Sequence, residues 1–74
     1  MKKLKEDVLE FVGKNKRVKD DIADLFLRED GARPTDLTLR LWIKKNDPRL
    51  TCISALEVIS TWIDKPVEEL TTEQ

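Results

Sequence analysis

Apolar residues recur along this 74-residue chain at the spacing of a helix, in four successive runs each followed by Gly or Pro. That rhythm restricts the fold more than any other feature of the sequence. Leu4, Val8, Phe11 and Val12 share one helix face, and Gly13 follows as a left-handed stop. Val18, Ile22, Leu25 and Phe26 make a second run that should end near Leu27 or Arg28. Asp20, Asp21 and Asp24 lie on its outer side, where acids in a first turn favour a helix start beside the positive end of the macrodipole. Thr35 caps a third helix over residues 36–45, which Asn46, Asp47 and Pro48 terminate. Thr51 is set to cap a fourth, with Ile53, Leu56, Ile59 and Ile63 as its core stripe. Pro66 opens a short fifth turn that returns Val67 and Leu70 to the core, and residues 71–74 should fray. The expected fold is all-α: a small bundle of four to five short helices, one domain over residues 1–74.

A chain of this length buries one modest core. With 39% of residues charged, 39% apolar, and only two Gly and three Pro, it suits helices with wet outer faces. Cys52 is the single cysteine and has no internal partner, which fits a reducing compartment and predicts a cytoplasmic protein. No apolar run has the length of a signal peptide core or a membrane span. There is no His, no Tyr and no glycine-rich phosphate loop, and Cys52 has no evident base. Catalysis, a metal and a cofactor are therefore not expected. The net charge of −1 hides strong segregation: residues 1–19 carry +4, residues 20–36 −4, residues 37–50 +3 and residues 51–74 −4. Two basic blocks could form one anionic-partner face if the fold brings them together.

The order of elements over residues 18–70 resembles the Cro/repressor-type (Xre-like) helix-turn-helix family. The residues that carry this are the cap Thr35 followed by Leu39 and Trp42, a Pro-broken turn, and a Leu-x-x-Ile helix at Leu56 and Ile59. The closing Pro66-Val67-Glu68-Glu69-Leu70 and the small Ala23 where the second helix packs on the third complete the pattern. The resemblance implies a small transcriptional regulator, such as a repressor, that binds double-stranded DNA with the third helix in the major groove. It places Asp36, Leu37 and Leu41 at positions facing base edges. Arg40, on the adjoining face, is the side chain able to bind guanine through two parallel hydrogen bonds, or else is an ordinary solvated charge. It assigns phosphate contacts to Lys14, Lys16, Arg17 and Lys19 before the second helix and to Lys44, Lys45 and Arg49 after the third.

Three questions stay open at this level. The cap Thr35 arrives later after Ala23 than the family places it, so residues 28–33 form either a longer loop or an extension of the second helix. Leu37 and Leu41 touch thymine methyls, bind another protein, or are core. Trp42, with Leu39 and Ile43, reads as core. The fourth helix carries a second apolar line, Ala55, Val58 and Trp62, which is either a homodimer interface or a sign that this helix is embedded more deeply. The competing function is a protein-interaction module or small inhibitor on the same scaffold.

Overall fold

The apolar runs become four helices in the computed structural model, which describes residues 2–73. These are α1 (Glu6–Lys14), α2 (Lys16–Asp30), α3 (Asp36–Lys45) and α4 (Ile53–Ile63), with 3-10 turns at Pro48–Thr51 and Val67–Glu69. They form the small all-α bundle that the periodicity predicts. Val8, Val12, Val18, Ile22, Leu39, Leu56 and Ile59 point into one core, joined by Leu4, Leu50 and Leu70 from the connecting segments. Full burial of an aliphatic side chain of this size stabilises by about 1.5–3 kcal/mol, so each helix is held mainly by its inward stripe. No described helix is long and apolar enough to cross a membrane.

The first run is divided between two elements. Leu4, expected in the first helix, belongs to β1 (Lys2–Leu4), which pairs antiparallel with β2 (Thr71–Glu73) in the register Lys2↔Glu73, Lys3↔Thr72 and Leu4↔Thr71. Thr71–Glu73 are thus paired backbone rather than a frayed tail, while Gln74 lies outside the described residues. On its other edge β1 is completed by a side chain. The Leu4 N–H donates to Asn46 Oδ1 at 3.2 Å, and Asn46 Nδ2 donates to the Leu4 carbonyl at 3.0 Å. Asn46 reaches this position from the left-handed C-cap of α3, at φ 53°, a conformation asparagine tolerates better than most residues.

Gly13 does not stop α1. The helix runs through it to Lys14, and Asn15 at φ −113° makes the break to α2. Gly13 faces α3, where an added Cβ would lie 3.4 Å from Ile43 Cγ2, at the near edge of ordinary van der Waals contact. The second helix is longer at both ends than its apolar run indicates. It begins at Lys16, which puts Lys and Arg rather than the aspartates into the first turn. It continues to Asp30, where Gly31 at φ 76° closes it with a backbone N–H to the Leu27 carbonyl. Of the two alternatives for residues 28–33, residues 28–30 extend the second helix and residues 31–33 belong to the connection. The chain then folds back, and Arg33 pairs with Asp24 and, at 3.7 Å, with Asp20.

This extension settles the packing of α4. Ser54 Oγ donates to Glu29 Oε1 and Trp62 Nε1 donates to Asp21 Oδ2, each at 2.6 Å. The two partners on α2 run in the opposite order to those on α4, so the helices lie antiparallel and α2 covers the second apolar side of α4. Ala55 is accordingly fully buried core, not interface, and Val58 is half-buried against the core. The start of α4 also differs from expectation. Cys52 takes the N-cap position without a side-chain cap, and the Thr51 hydroxyl donates instead to the Pro48 carbonyl. Ile53, expected in the core, is 75% exposed, and Leu50 from the 3-10 turn is buried in the core.

Candidate nucleic-acid interface

The third helix has the limits that its cap and stop residues predict, with Thr35 Oγ1 accepting from the Thr38 N–H at 3.1 Å. Its inward residues are Leu39, fully buried, and the half-buried Trp42 and Ile43. Trp42 meets Phe26 edge to face, with ring centroids 5.3 Å apart, and the Arg49 guanidinium lies 5.1 Å from the Trp42 ring centre. The opposite face carries Asp36, Leu37, Arg40, Leu41, Lys44 and Lys45, all exposed. The register that puts Leu37 and Leu41 outside is thus the observed one, with Leu37 67% and Leu41 45% exposed.

Asp36 and Arg40, one turn apart, form an ion pair at 3.0 Å between Oδ2 and Nη2. Arg40 is thus an exposed charge paired with Asp36. The acid-to-base spacing of four residues was the available signal for this pair.

α1 approaches α3 where Gly13 faces Ile43. The Gly13–Ile43 contact sets the α1–α2 joint, with Lys14 and Lys16, beside the last turn of α3, with Lys44 and Lys45. The expected phosphate ligands differ in their freedom. Lys14 is bound to Glu10 at 2.6 Å, and this hydrogen bond, followed by the lysine charge, holds the Glu10 carboxyl below the usual glutamate range. Lys19 donates to the Gly13 carbonyl at 3.1 Å and fastens the joint. Arg49 is over Trp42. Among the described residues, Lys16, Arg17, Lys44 and Lys45 have no ion-pair partner and are exposed.

At its other end α3 has acidic surroundings. A hollow lined by Asp20, Ala23, Arg33, Pro34, Thr35, Asp36 and Leu39 lies between its first turn and α2. Ala23 is buried and lines this hollow together with Leu39. Arg33 is occupied by Asp20 and Asp24. The helix thus has an acidic first turn and a basic last turn. Of the expected dimer residues, Ala55 is core, Val58 packs against the core, and Trp62 remains 38% exposed with its indole N–H on Asp21. In comparison with known proteins, no family model, no curated protein and no solved structure matches this chain.

Proposed function

We propose that this chain is a small cytoplasmic DNA-binding regulator that presents the outer face of α3 to the major groove and grips phosphates with the cations around the α1–α3 joint. The observation that supports this reading is the approach of Gly13 on α1 to Ile43 on α3, which brings the chain neighbour of Lys14 close to the chain neighbour of Lys44 although an acidic segment separates them in sequence. A ten-residue helix that spends one face on the core and leaves the other exposed has the shape the groove admits. The unpaired Lys16, Arg17, Lys44 and Lys45 supply a sequence-neutral grip. Titration of mixed-sequence duplex DNA across a salt series tests it. Four phosphate contacts give a slope of log affinity against log salt of roughly −3 to −4, and Lys44→Gln reduces it by about one. Absence of binding at low salt overturns the reading.

The same helix favours a second reading, a protein-interaction module, through one observation: Leu37 and Leu41 stand exposed in a single row. In that case Leu41→Ser abolishes capture of a protein partner and leaves the weak, salt-dependent DNA affinity unchanged. A two-fold dimer on DNA belongs to the first reading, but α2 has taken up the surface that motivated it. What remains for a second copy is a rim with Trp62 and the 46% exposed Leu27. Sedimentation of the wild type against Trp62→Glu decides whether that rim pairs.

A further inference from the structure

We propose that Asp36 is a positioning residue, which holds the Arg40 guanidinium for the major-groove edge of a guanine while Leu37 and Leu41 meet the methyl group of a neighbouring thymine. The inference rests on the DNA-binding reading and names what its helix reads. Asp36 and Arg40 form one row along the outer face of α3, and Leu37 and Leu41 form the adjoining row, one residue on. None of the four is part of the core.

An arginine on an open helix face loses considerable rotamer freedom when it binds a base in a fixed plane. A carboxylate one turn away engages Nη2 beforehand and so removes part of that cost before DNA arrives. The guanidinium has five N–H donors, so the contact to Asp36 leaves enough of them for the O6 and N7 acceptors of guanine. Arg40 in turn offsets the negative charge of Asp36, which would otherwise face the phosphates unpaired. Leucine has no donor or acceptor to give, and the base feature that suits it is the C5 methyl of thymine. The two rows together select a guanine with a thymine beside it.

The probe is the duplex that the wild-type protein enriches from a random pool, together with the same duplex carrying 7-deazaguanine for guanine, which deletes N7, or uracil for thymine, which deletes the methyl. The wild type should lose about tenfold on the deaza duplex and a few-fold on the uracil duplex. Asp36→Asn preserves side-chain shape and removes the charge; it should shrink the guanine-to-deazaguanine ratio severalfold, and Asp36→Glu should restore it. A purely structural Asp36 would change all duplexes alike and leave that ratio untouched. Circular dichroism of each variant verifies that α3 is retained. An unchanged ratio in Asp36→Asn, or an enriched site without guanine, overturns the inference and leaves DNA binding standing. Wild-type protein that shows no salt-dependent binding removes both.

Discussion

Helices α3 and α4 are close in length and in their supply of large apolar side chains, yet they spend them in opposite ways. In α4, Ala55, Leu56 and Ile59 are fully buried and Val58 and Ile63 pack beside them, because α2 lies antiparallel along the side that the core leaves open. In α3, Leu39 alone is fully buried, while Leu37 and Leu41 are left outside with Asp36, Arg40, Lys44 and Lys45. The contrast assigns stability to one helix and presentation to the other. What α4 leaves outside among its large apolar side chains is Ile53 at its start and Trp62 near its end. A helix attached by one stripe can change its outer residues without loss of the fold.

Substitutions can break or sharpen this contrast, and the largest effect belongs to α4. Ile59→Ala removes a fully buried side chain and should cost about 2–5 kcal/mol in urea unfolding. If it costs less than Leu37→Ala, the division of roles is wrong. Asn46→Ala, at the end of α3, deletes both hydrogen bonds to Leu4 and puts alanine into a left-handed cap, for about 1–3 kcal/mol. Asn46→Gly should recover the conformational part alone, as read from the same denaturation midpoint. Trp62→Phe loses the hydrogen bond to Asp21 at a partly exposed site and should cost roughly 0.5–1 kcal/mol. Leu37→Ala should leave the thermal midpoint nearly where it is, within about 0.5 kcal/mol, while it weakens binding to thymine-containing sites.

The smallest effect lies at the Glu10–Lys14 pair, open to water on α1. Its folded-state pKa is depressed, so any stability it gives is present above the ordinary glutamate pKa and fades as the pH falls through the lowered value. Comparing wild type with Glu10→Gln in urea at neutral and at acidic pH should show a slight advantage for the wild type at neutral pH alone.

Much of the fold was legible because helical spacing identifies an inward face without reference to the partner that covers it. Val8, Val12, Val18, Ile22, Leu39, Leu56 and Ile59 were all recognisable this way. The limits of α3 were legible too, since Thr35 and the Asn46-Asp47-Pro48 stop act through local chemistry. What escaped depends on contacts distant in sequence. A glycine beside a helix end looks like a stop, yet α1 runs through Gly13, which faces Ile43 across the joint. Polar residues 28–30 carry no apolar signal, so the last turn of α2 was hidden, and with it the cover that turned Ala55 from interface into core. The three-residue strands are too short for any alternation to register, and they exist because Asn46 and β2 satisfy the two edges of β1. At the candidate site the sequence left Leu37 and Leu41 open between exposed and core, and the packing of Leu39, Trp42 and Ile43 decides that they are exposed. The pairing of Arg40 with Asp36 had a signal in their spacing of four residues, whereas that of Arg33 with Asp20 and Asp24 needed coordinates.

The β1–β2 pairing sets Lys2 beside Glu73, so backbone positions far apart in sequence are neighbours. A covalent link between the two strands would enclose the four helices in one loop and restrict the denatured ensemble while it leaves the native contacts as they are, so it should raise the melting temperature. Hydrogen bonds between β1 and β2 already make this closure in the folded protein, and a covalent link would keep it when the chain unfolds.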